Sequence, residues 1–153
     1  MATISAKATL TVSSPAFEHE GYIPEKYTCE GENINPPIRI KGIPKEAVSL
    51  VLIMDDPDAP SGVFDHWVVW NIRPTEVINA NNLPGVAGKN SAGESRYKGP
   101  CPPTGTHRYF FKVYAIDTLL DLGDDTDKKM VEQEIENHVI AYGELMGLYK
   151  KHK

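Results

Sequence analysis

The chain has 153 residues, 41% apolar and 24% charged, which is enough for one globular domain (1–153) with a real core and ordinary for a soluble protein. Its formal net charge of −5 argues against a nucleic-acid partner, because phosphate contacts need a basic surface. No stretch is long and apolar enough to span a membrane. The first ten residues, MATISAKATL, lack a basic region followed by an apolar one, so a cytoplasmic location is expected.

In chain order, the alternation from Ala8 to Val12 predicts a short strand. Residues 14–36 are rich in Pro, Gly, Glu and Asn and read as loop with strand fragments. Ile38 to Ile40 alternates after Pro36–Pro37 and predicts a second strand. Val48 to Met54 is apolar with no polar face, the pattern of a strand buried on both sides. Its even positions Val48, Leu50, Leu52 and Met54 share a face that Asp56 continues. The loop Asp56 to Gly62 is stiffened by two prolines, and Ala59–Pro60 is a candidate for a cis peptide. A strand from His66 to Ile72 follows. If it pairs antiparallel with its predecessor, Asp56 and His66 lie at one sheet edge.

Residues 75–106 have no clear period and are too rich in Gly, Pro and Asn for a helix; a loop this long is usually functional. His107 to Ile116 is an aromatic-rich strand with His107, Tyr109, Phe111, Val113 and Ala115 on one face. After an acidic turn, Lys128 to Ala141 carries Val131, Ile135, His138, Val139 and Tyr142 at helical steps and predicts an amphipathic helix. Gly143 and Gly147 weaken its continuation, so residues 143–150 suit a closing strand.

Two strands thus begin in a histidine and a third ends in an aspartate. The rigid segment Gly99 to Gly105 runs straight into His107. Imidazoles held protonated near a carboxylate make an anion site. A structural role, each histidine capping a strand against a backbone carbonyl, accounts for the pattern equally well. The two cysteines, Cys29 and Cys101, lack the close paired spacing of a zinc site. In a mesophilic cytosol they suit buried thiols, and in a hyperthermophile a disulfide.

The segments Asp56-Pro-Asp-Ala-Pro60, His66-Trp67 and Gly105-Thr-His-Arg-Tyr109 resemble the phosphatidylethanolamine-binding protein family. Tyr27-Thr-Cys-Glu-Gly31 and Gly99-Pro-Cys-Pro-Pro103 resemble its bacterial and archaeal, Raf-kinase-inhibitor-like branch. Any one motif is weak, but their joint order and spacing are specific, from about Phe17 to about Tyr149. The resemblance implies a mainly β fold, an antiparallel β-sandwich with Greek-key connections and one or two peripheral helices. It implies a small anion site for phosphate, sulfate, a carboxylate or a phosphorylated headgroup, built by Asp56, His66, His107 and Tyr109 with Gly99 and Pro100 in the wall. It assigns Asp58 and Arg108 to bracing the loops. Animal members carry a proline pair after the glycine, where this chain has Pro100-Cys101, and a carboxy-terminal helix over the pocket, so a more open pocket is expected here. The shared branch segments also imply that Cys29 and Cys101 lie close enough to bridge.

On this reading the protein is a binding module, not an enzyme, with no cofactor and no metal. It takes a small anionic ligand and acts on a protein partner as a regulator or inhibitor. Inhibition of a serine protease or kinase through a surface loop is the alternative, with 75–98 as the loop. A hydrolase using the His/Asp pocket is the weaker one, since Gly93-Glu-Ser-Arg-Tyr97 only half fits a nucleophile elbow. An anion held by imidazole and backbone N–H groups, without lysine or arginine, should bind more tightly as pH falls through the histidine range.

Overall fold

The computed structural model describes residues 8–152; most of the amino-terminal segment on which the cytoplasmic expectation rests lies outside them. The strands are β1 (Ala8–Thr9), β2 (Thr11–Ser13), β3 (Ile38–Lys41), β4 (Ser49–Asp56), β5 (Phe64–Ile72), β6 (Val77–Ile78), β7 (Val86–Ala87), β8 (His107–Ile116) and β9 (Val139–Tyr149). A single 3-10 turn at Glu25–Tyr27 and one helix, α1 (Lys128–Ile135), complete the regular structure of the described residues. The larger sheet has the order β1-β9-β8-β4-β5-β7 and the smaller β2-β3-β6. All pairings are antiparallel except β1 with β9. The long return from β5 to β8, on the far side of β4, makes the Greek-key step of a β-sandwich.

β4 is buried along its whole length because both of its faces are covered. Leu50, Leu52 and Met54 enter the core between the sheets, with Ile38, Ile40 and Ile78 of the smaller sheet. Val51 and Ile53 meet Val131 and Ile135 of α1 on the other side. Val48, expected in this strand, precedes it and is 46% exposed. β8 alternates as expected, with Tyr109, Phe111, Val113 and Ala115 between the sheets.

Three local expectations are corrected. The amino-terminal alternation is two strands, because the chain crosses from one sheet to the other at Leu10, whose N–H donates to Tyr142 O at 2.8 Å. The helix stops at Ile135, and Val139 opens β9 instead. Pairing along the whole of β8, from Ile116 with Val139 to His107 with Tyr149, outweighs the helical spacing. The glycines serve that strand: a Cβ on Gly143 would stand 2.1 Å from Leu10 O, and one on Gly147 would stand 2.6 Å from Ile23 Cγ1. Finally, no peptide bond among the described residues is cis, so Ala59–Pro60 is trans. No helix among the described residues is long and apolar enough to cross a membrane.

Candidate functional site

At the ends of β4, β5 and β8 a cavity of about 200 Å³ opens to solvent. Asp56, His66, His107 and Tyr109 all line it, although they come from three strands. Asp56 and Tyr109 reach it by simple alternation from Met54 and Phe111. His66 does not. In β5, Trp67 and Val69 face the core between the sheets, while Val68 and Trp70 face α1. Strict alternation would send His66 to the α1 side with Val68. The register prevents this: Met54 pairs with Trp67 and Asp55 with Asp65, leaving His66 as the extra residue of a β-bulge. The bulge turns His66 back to the cavity beside Phe64 and sends Asp65 to the opposite face, where Lys128 Nζ holds it at 2.8 Å. A second bulge, at Asn71, restores the phase for Ile72. Its backbone is left-handed (φ 54°), which asparagine tolerates, and its amide is tied to both backbone groups of Leu120 at 2.8 Å.

Hydrogen bonds fix the polar groups. His107 Nδ1 lies 2.7 Å from Asp56 Oδ2, with both residues buried. The other carboxylate oxygen of Asp56 accepts the Asp58 N–H at 2.7 Å. The Asp58 carboxylate accepts from Arg108 Nε at 3.0 Å, and from its Nη2 and backbone N–H at 2.9 Å. That guanidinium holds Asp58 below the usual carboxylate range. The pair therefore braces the loop behind Asp56 and does not line the cavity. His66 Nδ1 donates to Lys98 O at 2.7 Å, and burial pushes its pKa below the ordinary histidine value; the bond to Lys98 O and the Asp56 charge oppose that without cancelling it. Tyr109 packs edge-on to His66 at 5.3 Å and parallel to His107 at 6.4 Å. Burial, then the charges of Asp56 and Asp58, raise its pKa far above the phenol range, so it stays neutral. Its buried hydroxyl meets no acceptor among the described residues, and the Cys101 backbone N–H acts on its oxygen, pulling the pKa the other way.

Gly99 and Pro100, expected in the wall, lie behind it. The Gly99 N–H is spent on Asn33 Oδ1 at 2.7 Å, and a Cβ there would stand 2.5 Å from Tyr27 O. Pro100 O accepts the Cys29 N–H at 3.1 Å. Gly99 is thus required for close approach to the 27–33 segment, and the wall proper is Cys101, Pro102 and Pro103. Cys101 is joined to Cys29 by a disulfide, with Cα atoms 5.5 Å apart. Sequence reasoning also missed Lys98, Phe64, Ala59 and Pro60 in the lining. Lys98 sits directly before the recognised Gly-Pro segment, a signal that was available. The Lys98 atom fixed at the site is its carbonyl oxygen, 2.7 Å from His66 Nδ1.

The ligand atoms of Asp56, His66 and His107 are not gathered closely enough for one metal ion. Among the described residues Glu25, Glu30 and His152 are so gathered, near the disulfide. There Glu30 Oε1 already accepts the Tyr149 hydroxyl at 2.6 Å and the His152 N–H at 3.0 Å.

A family model described as phosphatidylethanolamine-binding protein matches residues 13–150. A UPF0098 protein of Archaeoglobus fulgidus is 49% identical over 152 residues, which cover 94% of this chain and 52% of that one. The chain therefore spans about half the length of that relative. A UPF0098 protein of Methanothermobacter thermautotrophicus is 48% identical over 150 residues, covering 93% of this chain and 99% of the relative. Among solved structures, CT736 of Chlamydia trachomatis, described as a phosphatidylethanolamine-binding protein homologue, is 39% identical with a TM-score of 0.90, covering 94% and 98% of the two chains. YbcL of Escherichia coli, described as a new member of the mammalian family, is 26% identical with a TM-score of 0.86, covering 94% and 99%.

Proposed function

The chain belongs to the phosphatidylethanolamine-binding protein family, and on that premise we propose that its cavity binds a small oxyanion: phosphate, a carboxylate or a phosphorylated headgroup. One observation carries the reading. The Tyr109 hydroxyl is buried at the cavity without an acceptor, although buried polar groups are nearly always paired. A ligand oxygen supplies the missing acceptor. Two histidines and Lys98 stand on the same lining as polar partners for it, beside Phe64, Pro60, Pro102 and Pro103.

A binder suits this lining better than a hydrolase. It offers no serine, threonine or free thiol as nucleophile, since Cys101 is bridged. Regulation or inhibition of a protein partner remains part of the proposal. An exposed segment at 91–96 favours it, shaped by Asn90, whose side chain bonds Ala92 N–H at 2.9 Å, Glu94 N–H at 3.1 Å and Arg96 O at 2.9 Å. A rigid protruding loop is what a protease or kinase inhibitor presents. A cytoplasmic location goes with the reading, and thiol labelling in intact cells bears on it, because a reducing cytosol opens exposed disulfides.

Tyr109→Phe tests the site by two measurements. In the unliganded protein it removes a hydroxyl that has no acceptor, so stability in urea should change by no more than about 1 kcal/mol. Affinity for phosphate should fall roughly tenfold, the worth of one hydrogen bond to a charged ligand. Reduced stability together with wild-type affinity would show that the hydroxyl serves the fold, and would sink the site.

A further inference from the structure

Both imidazoles in the cavity have the same ring hydrogen fixed. His66 Nδ1 faces Lys98 O at 2.7 Å, a carbonyl that only accepts. His107 Nδ1 faces the Asp56 carboxylate at 2.7 Å. Each Nδ1 therefore carries its proton in either charge state, and a neutral imidazole here presents Nε2 as a bare lone pair. Neither Nε2 has a hydrogen-bond partner among the described residues. Switching tautomer to create an Nε2–H would break a buried hydrogen bond. The Tyr109 hydroxyl is the reverse case, free to donate. Lys98 is among the residues that line the same cavity.

The cavity thus offers one donor, a lysine on its lining and, wherever an imidazole is neutral, an acceptor. A fully deprotonated anion meets the acceptors as repulsion and binds only if a proton is first drawn from solvent. At His66 burial disfavours that proton; the hydrogen bond to Lys98 O and the Asp56 charge oppose burial without cancelling it, the Lys98 charge adds to it, and Asp65 opposes it. Around His107 stand Asp56 and, behind it, the Asp58–Arg108 pair, which hold the Nδ1 proton in place. An oxyanion that still has a P–OH group brings the proton with it and satisfies a lone pair directly. Resting on the anion-binding reading above, we propose that the cavity selects oxyanions that carry their own proton, phosphonate and phosphomonoester monoanions, over sulfonates and sulfate esters that cannot.

Methylphosphonate and methanesulfonate test this, since they share a shape and, at the lower pH, mainly a single charge, and differ by one O–H; the phosphonate's own second ionisation is subtracted from its pH curve. Calorimetric titration of the intact protein at pH 6.5 and 7.5, in two buffers of different ionisation enthalpy, reads affinity and proton uptake together. Sulfonate affinity should drop about tenfold over that unit of pH, with close to one proton taken from buffer per site. Phosphonate affinity should change by about threefold or less, with little buffer dependence. Parallel pH curves and equal proton uptake for the two probes would overturn the inference while leaving the anion site standing. Binding of neither probe would overturn the anion site itself, and the inference with it. Ethyl phosphate in solution and phosphatidic acid in vesicles then separate a free phosphomonoester from a lipid headgroup. Binding in either arm supports the class, and binding in neither counts against it.

Discussion

Replacing Cys29 and Cys101 together by serine is expected to cost about 4 kcal/mol of stability while leaving the cavity closed. The bond joins residues 72 apart, and on the chain-entropy account a loop of that size restrains the unfolded chain by about this amount. In a chain this long the loss corresponds to roughly 10 °C in Tm. The folded wall does not depend on the bond alone. Cys29 N–H to Pro100 O at 3.1 Å, Gly99 N–H to Asn33 Oδ1 at 2.7 Å and the Tyr97 hydroxyl to Tyr27 O at 2.7 Å tie the same two loops. Both half-cystines are exposed, so dithiothreitol should reproduce the variant in the native protein. Urea unfolding with and without reductant measures the loss, and phosphate titration measures the wall. A loss below 1 kcal/mol would mean that the unfolded chain is not restrained by the bond. Abolished binding would mean that the bond, and not the hydrogen bonds, positions Pro102 and Pro103.

Lys128→Met is expected to cost about 3 kcal/mol, although the lysine is remote from the cavity lining. Its ammonium lies 2.8 Å from Asp65 and 3.4 Å from Asp55, which pair across β5 and β4 on the face opposite the cavity. Burial works against the Lys128 charge, but the Asp65 hydrogen bond and both carboxylates outweigh it and hold its pKa above the ordinary lysine value. Removing one partner from a buried cluster typically costs 3–5 kcal/mol; here Asp55 is buried while Lys128 and Asp65 are half-buried. The lower end applies because Lys112 still meets Asp55 at 3.0 Å. The pH dependence has a fixed sign. A lysine whose folded pKa is raised contributes fully below its unfolded value, and that contribution disappears only as pH climbs through the higher folded value. Wild type and variant should therefore differ by a constant amount through neutrality and converge only in strong alkali. Convergence at or below the ordinary lysine range, around 10.4, would show that the carboxylates do not hold this lysine. Because Asp65 is the residue next to the bulge, the variant should also weaken phosphate binding through His66. Unchanged binding would show that the bulge holds without this clamp.

Much of the site was legible because antiparallel strands repeat every two residues. Once Leu50, Leu52 and Met54 are read as one face, Asp56 follows. Once Phe111, Val113 and Ala115 are read as another, His107 and Tyr109 follow, and the two strands keep one register with each other as far as the cavity. The shared edge of Asp56 and His66 was legible too, from antiparallel pairing across a short stiff loop.

The rest depended on contacts that no local period encodes. His66 reaches the cavity only through a one-residue bulge, beside which Asp55 and Asp65 share Lys128 from a helix more than sixty residues further along the chain. Val139 to Tyr142 keeps helical spacing, yet becomes strand because eleven residues of β9 pair with β8. Gly99 looks like cavity wall in the sequence, and proves to be the point where the loop presses on Tyr27 and Asn33. By itself the sequence determined which faces of β4 and β8 are apolar, and so where Asp56, His107 and Tyr109 point, because side-chain alternation is a property of each strand alone. Only the tertiary structure decided the orientation of His66, the extent of β9 and the residues of the wall, because bulges, strand pairing and close backbone approach are properties of segments that meet only once the chain has folded.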